Sequence, residues 1–317
     1  MRYPLDPELT AALAIPPTVD LGDPAAARAE EARRLAASPE PDTTGVTVYD
    51  VTVPRPDGRS HLTLRVYTPS GPRRPLPALY DIHGGGFVLG SIEATHARSI
   101  RLCRELGTVV VAVAYRLAPE HPYPAPLQDC YAGLAWLAAH AADLGIDATR
   151  IAVHGQSAGG GLAAAVALLA RDRGGPAICF QYLGVPAVDD RLSSDSMRQF
   201  VDTPAWDRPS ARLSWSCYLG TGIPGTDDVS PYAAPARATD LSDLPPAYIT
   251  AMQFDPLRDE GIAYALALQA AGVSVELHLF PGTFHGSVGV PAAEVSRREL
   301  AEETAVLRRA LWPCRGT

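Results

Sequence analysis

The chain has 317 residues, 47% of them apolar and 20% charged, the balance of a folded globular protein that can bury a sizeable core in one or two domains. Its formal net charge is -8 with no basic cluster, which excludes a sequence-independent grip on nucleic-acid phosphates. All 27 basic residues are arginines, so no mechanism here can use a catalytic lysine.

Cys103, Cys130, Cys179, Cys217 and Cys314 are scattered, odd in number and lack a C-x-x-C pair. That pattern fits neither a disulfide framework nor a zinc site, and no metal is expected. Met1 to Pro17 holds acidic residues and prolines where a secretory signal needs an unbroken apolar run. No stretch has membrane-spanning length, so a soluble cytoplasmic protein is expected, with neither a membrane nor a nucleic acid as partner.

In chain order, residues 1–44 read as helical and punctuated by proline. Pro24 can start a helix over Ala25 to Ala37, and Ser38-Pro39 ends it. The stretch Pro54 to Gly58 supplies a turn. Residues 61–67 then alternate, with Leu62, Leu64 and Val66 on one face, as a half-buried strand should. Apolar runs at 78–82, 109–114, 151–153, 178–183, 247–252 and 273–280 read as further strands. Helix-period segments lie between several of them, such as Leu127, Tyr131, Leu134 and Ala138, or Leu162 to Ala170. Strands alternating with helices predict an α/β fold, a mostly parallel sheet of about eight strands covered on both faces. Residues 190–244 break the alternation. They hold no clear strand but carry Met197, Phe200, Trp206, Trp215 and Tyr218 among prolines and glycines, the composition of an insertion folded over the sheet edge.

Gly155-Gln156-Ser157-Ala158-Gly159 is a G-x-S-x-G pentapeptide, a weak signal alone. Its context is stronger: the β-type run Ile151 to Val153 precedes it and a helix-forming run, Gly160 to Arg171, follows. A strand, a sharp turn and a helix are what an exposed nucleophilic serine requires. Side chains two residues either side would crowd such a turn, hence the two glycines. The N–H of Ala158, at the helix start, then faces the place where negative charge develops. Upstream, His83-Gly84-Gly85-Gly86 directly follows the strand at 78–82. Consecutive glycines cost backbone entropy, and they leave N–H groups free to converge on an oxyanion. His83 is expected to hold this loop by a hydrogen bond.

A serine hydroxyl needs a neighbouring base. Of eight histidines, His61 and His278 fall in strand patterns, His140 lies late in a helix, and His96 and His121 are remote. His285, in Gly282-Thr283-Phe284-His285-Gly286, stands just past the last strand. Asp255 follows the strand at 247–252, whereas Asp259 and Glu260 fall on the next helix, where first-turn charge would account for them.

These segments resemble the hormone-sensitive-lipase family of esterases, the bacterial family IV carboxylesterases. The matching runs are HGGGFVLGS at 83–91, YRLAPEHPYPAPLQD at 115–129, GQSAGGGLA at 155–163, LPPAYI at 244–249, DPLRDEG at 255–261 and FHG at 284–286. The resemblance implies an α/β-hydrolase fold with a catalytic triad of Ser157, Asp255 and His285, in the chain order that fold uses. It implies an oxyanion hole from Gly85, Gly86 and Ala158, supported by Gly84 and His83, and no cofactor. It also implies a helical cap. The chain would then divide into an N-terminal cap segment (1–44), a core in two parts (45–189 and 245–317) and a cap insertion (190–244). Gln156 beside the serine and Gly286-Ser287-Val288 after the histidine depart from the family's usual residues. The expected activity is hydrolysis of small short- to medium-chain acyl esters through an acyl-enzyme, with a second copy of the chain, in a homodimer, as the one macromolecular partner considered. Amidase or lactonase chemistry would use the same groups. A non-catalytic ligand-binding homologue would lack the histidine that is present here.

Overall fold

The computed structural model describes residues 3–12, 21–55, 58, 60–71 and 75–313. Residues 1–2 and 13–20 of the N-terminal segment, residues 56–57 of the Pro54 to Gly58 turn, and Cys314 lie outside the described residues. The chain enters through two helices, α1 (Pro7–Ala12) and α2 (Pro24–Ala37). Pro24 opens α2 as the sequence predicts, and the Asp23 carboxylate accepts from Ala26 N–H at 3.0 Å, satisfying an end donor. Then follow β1 (Val46–Pro54), β2 (His61–Pro69), β3 (Leu76–Ile82), α3 (His96–Leu106), β4 (Val109–Ala114), α4 (Ala125–Ala139), β5 (Ile146–Gln156), α5 (Ala158–Asp172) and β6 (Phe180–Gly184). Two short helices, α6 (Asp195–Gln199) and α7 (Arg208–Leu219), occupy the stretch without strands. The chain returns through β7 (Ala247–Phe254), α8 (Arg258–Ala270), β8 (Val275–Phe284) and α9 (Glu294–Leu311).

The eight strands form one sheet in the order β1-β2-β4-β3-β5-β6-β7-β8. β1 and β2 are antiparallel, as are β2 and β4; the rest pair in parallel. The predicted strands are all present, with shifted ends. β5 begins earlier than its apolar run because Ile146 already pairs with Leu76 across an irregularity. β8 runs on through Pro281 and Gly282, which its edge position allows, since a strand there can lose a ladder N–H.

Alternation along the strands sorts the core into two layers. Val109, Val111 and Val113 join Tyr80, Ile151 and Val153 in a cluster with α4, α5 and α8. Val110 and Ala112 face the other way, packing with Leu79, Ala152, Tyr182 and Tyr248 against α3 and α9. Every residue of α5 from Ala158 to Ala170 is buried, so this helix is apolar all round, as an interior helix should be.

The α9 layer contains charge. The His154 ring on β5 donates from Nδ1 to Asp81 at 2.8 Å and from Nε2 to Glu303 at 3.0 Å. Burial disfavours the imidazolium, but the two carboxylates outweigh it and raise the His154 pKa. Arg98 bonds the same Asp81 at 2.9 Å. One helical turn before Glu303, Glu299 has both carboxylate oxygens buried without a partner among the described residues. Burial, then the charges of Glu303 and Glu302, push its pKa up to about 8. An acid whose folded pKa lies above its unfolded value near 4.5 holds its proton longer in the native state. Stability is therefore lost as pH rises between those two values, by at most about 1.4 kcal/mol per pH unit for one group. Glu299→Gln removes that dependence. Its melting temperature should exceed that of the wild type at pH 8, and the gap should shrink toward pH 5; a constant gap across that range would refute the buried neutral acid.

Candidate active site

The parallel strands bring their carboxyl ends to one edge, and the three predicted triad residues all stand there. Ser157 sits between β5 and α5 with φ 58° and ψ -121°, a sparsely populated conformation for a non-glycine residue and one held only by its surroundings. A Cβ on Gly155 would collide with the carbonyl of Gly159, and one on Gly159 with the carbonyl of Ile82. The crowding expected two residues either side of the serine is therefore present. Phe254 of β7 pairs with Phe284 of β8, so Asp255 and His285, each the next residue, emerge side by side.

The resulting chain of hydrogen bonds is continuous. His285 Nε2 lies 2.9 Å from Ser157 Oγ, and Nδ1 lies 2.7 Å from Asp255 Oδ2. With Nδ1–H donating to the carboxylate, Nε2 is left to accept the serine proton. The other oxygen of Asp255 accepts Leu257 N–H at 2.9 Å. Asp255 is wholly buried, while Ser157 and His285 keep 8% and 9% exposure, so the acid is shielded from water and the reacting pair opens to the site.

The glycine loop lies against the serine. A Cβ on Gly84 would come within 3.5 Å of Ser157 Cβ. Gly85 has φ 116° and its Cβ would strike the carbonyl of Leu89, so only glycine fits. Among the described residues the N–H groups of Gly85, Gly86 and Ala158 donate to no acceptor, which leaves all three able to receive an anionic oxygen. His83 stacks on Tyr115 with centroids 4.1 Å apart and donates from Nδ1 to Gly84 O at 2.8 Å. Burial drives its pKa down to about 4. The ring thus stands packed between Tyr115 and the first carbonyl of the glycine loop. Gln156 packs its amide where a Cβ on Gly184 of β6 would be, away from the triad.

Both sequence-distant segments border this edge. The Trp206 ring lies 5.8 Å from that of His285 and against Gly86, and Ser214 Oγ on α7 donates to Gly86 O at 2.7 Å. Met197, Phe200 and Trp215 are buried. From α2, Arg28 bonds Val88 O at 2.8 Å and Ala118 O at 2.6 Å, and Glu31 accepts Gly90 N–H at 3.0 Å. Tyr3 packs 5.6 Å from both Phe200 and Phe254.

Two acids do more than the sequence suggested. Asp259 accepts Ser196 N–H at 2.7 Å and so ties α6 to α8. Glu260 stands in the first turn of α8 as expected, but it does more than supply charge there. It is buried and accepts Val188 N–H at 2.9 Å and Asp189 N–H at 3.1 Å. Glu260, Tyr264 and Leu268 share one buried face of α8 at four-residue spacing, and that period is the signal from which its burial could have been read. Neither acid touches His285. Among the described residues no group of three or more His, Cys, Asp or Glu is arranged to hold a metal ion, and no helix there is long and apolar enough to cross a membrane.

A mostly parallel eight-stranded sheet with a serine elbow, a glycine loop and a histidine–aspartate pair at its carboxyl edge defines an α/β hydrolase. The family model for the alpha/beta hydrolase fold matches residues 79–289. Carboxylesterase NlhH of Mycobacterium tuberculosis is 45% identical over 270 residues, 80% of each chain. Esterase LipI of the same organism is 40% identical over 96% of this chain and 95% of its own. Among solved structures, a bacterial heroin esterase superposes with a TM-score of 0.93 at 52% identity, covering 97% of this chain and 98% of that one. The chain belongs to the α/β-hydrolase-fold family, within its hormone-sensitive-lipase-like branch, and is an enzyme of the carboxylic-ester hydrolase class.

Proposed function

We propose that the protein is a serine carboxylesterase that hydrolyses short- to medium-chain acyl esters through an acyl-enzyme on Ser157. The observation that carries this reading is the unbroken contact from Ser157 Oγ through His285 to Asp255, at 2.9 and 2.7 Å. Ser157 attacks the ester carbonyl as His285 takes its proton, and the oxyanion is received by the N–H groups of Gly85, Gly86 and Ala158. His285 then returns the proton to the leaving alcohol. Water, activated by the same ring, releases the acid from Ser157. Asp255 stays ionised and fixes the imidazole's orientation and tautomer.

Residues 1–44 and 190–244 act in this reading as a cap that excludes water and bounds the acyl pocket. Trp206 against Gly86 and Arg28 and Glu31 against the loop at 88–90 support that role. The proposed setting is the cytoplasm, with a diffusible ester as substrate. In a series of nitrophenyl esters, acyl chains of about four to eight carbons should be cleaved faster than chains of about sixteen, because a walled pocket limits length. Faster cleavage of palmitoyl than of butyryl esters would overturn the bounded pocket. Matching nitrophenyl amides in the same series should be poor substrates; comparable rates on them would make the enzyme an amidase.

A further inference from the structure

The loop that follows β6 forms a cradle beneath the nucleophile. Ser157 N–H donates to Gly184 O at 2.8 Å, and Ala187 N–H donates back to Ser157 O at 3.1 Å. The backbone of the elbow is therefore gripped on both sides by one four-residue stretch, Gly184 to Ala187. A Cβ on Gly161 of α5 would collide with the carbonyl of Ala187, so the helix start rests directly on this loop. The loop itself is not a relaxed turn: Val185, a β-branched residue, has φ 39°, a conformation that persists only where neighbours enforce it.

The Val185 N–H is itself held by Thr250 Oγ1 of β7 at 3.0 Å, and two further groups hold the loop at its far end. Val188 O accepts Ala236 N–H at 3.0 Å, and the N–H groups of Val188 and Asp189 both converge on Oε1 of Glu260. Glu260 is 4% exposed, and it stands in the first turn of α8, five residues after Asp255. Burial, with the charges of Asp189 and Asp255 adding to it, raises its pKa well above the carboxylate range although the two backbone bonds oppose this. Oε1 of Glu260 thus serves as a double acceptor for the loop, and glutamine has the same shape and offers the same acceptor.

We propose that Glu260 is a positioning residue for catalysis: through the Gly184–Asp189 loop it sets the height of the Ser157 backbone, and so the reach of Oγ, relative to the His285–Asp255 pair. It touches neither substrate nor triad. The segment that presents Asp255 to His285 thereby also holds the cradle of the serine, so both ends of the proton path take their position from the start of α8. This inference rests on Ser157 as the nucleophile.

The test compares Glu260→Ala, Glu260→Asp and Glu260→Gln in the full-length protein. Active serine is counted by titration with a nitrophenyl phosphonate, and kcat and KM are measured on nitrophenyl butyrate. Loss of the acceptor lets the serine shift, and misplacement on the order of 1 Å can cost up to about 100-fold. Glu260→Ala should lower kcat per titrated serine by roughly 10- to 100-fold with KM within about twofold. Glu260→Asp, whose shorter side chain withdraws the oxygen, should fall between alanine and wild type. Glu260→Gln should restore kcat to within about threefold of wild type. If the alanine variant does not fold, the aspartate and glutamine variants decide the matter by the same ranking. Unchanged kcat per titrated serine in Glu260→Ala or Glu260→Asp, or a glutamine variant as impaired as either, overturns the positioning role. A wild-type protein that the phosphonate fails to label at Ser157 overturns instead the reading on which it rests.

Discussion

Replacing Ser157 with alanine is expected to lower kcat by roughly 10⁴-fold or more while leaving the fold intact. Alanine keeps the Cβ that already sits at φ 58°, so the elbow suffers no new backbone strain. It loses only the hydroxyl 2.9 Å from His285 Nε2. The backbone grip on residue 157, through Gly184 O and Ala187 N–H, does not involve the side chain and should keep the melting temperature close to that of the wild type. Steady-state hydrolysis of nitrophenyl butyrate and a thermal melt check both halves of the expectation. A variant that kept a tenth of wild-type turnover would remove Ser157 from the chemistry.

Asp255→Asn should cost on the order of 10³- to 10⁴-fold in kcat, whereas Asp259→Asn should cost no more than a few-fold. The difference lies in what each carboxylate holds. Asp255 accepts from His285 Nδ1 at 2.7 Å in a wholly buried site. An asparagine there can present an N–H to the ring, which selects the tautomer that carries its proton on Nε2 and cannot take one from Ser157. Asp259 accepts Ser196 N–H of α6 and pairs with the Arg258 guanidinium at 2.7 Å. Asparagine retains a carbonyl for Ser196, and the pair with Arg258 is partly exposed, so its loss carries only a small penalty. Kinetics of the two variants side by side test this, and the opposite ranking would transfer the triad acid to Asp259.

Much of this protein is determined by local sequence. The alternation of Leu62, Leu64 and Val66, the helix period from Leu162 to Ala170 and the proline at the head of α2 are patterns of nearest neighbours, and each forms the element it predicts. The G-x-S-x-G and His-Gly-Gly-Gly runs are similarly local, because a tight turn and an unobstructed backbone demand particular residues at particular positions. They name Ser157, Ala158, Gly85 and Gly86, and chain order adds Asp255 and His285. What tertiary structure alone decides is which distant groups meet. The pairing of Phe254 with Phe284 sets Asp255 beside His285. The strand order carries Asp81 to His154 and brings α9 over both, so that Glu303 completes a buried ionic cluster and Glu299 is buried without a partner among the described residues. Glu260 reads as a first-turn helix charge in the primary sequence; the spacing to Tyr264 and Leu268 marks its face as buried, but only the fold supplies the two N–H groups of the loop after β6 that it accepts. A polar side chain's role depends on its burial and partners, and those are set by contacts between residues far apart in the chain; the identity of the residue leaves them open.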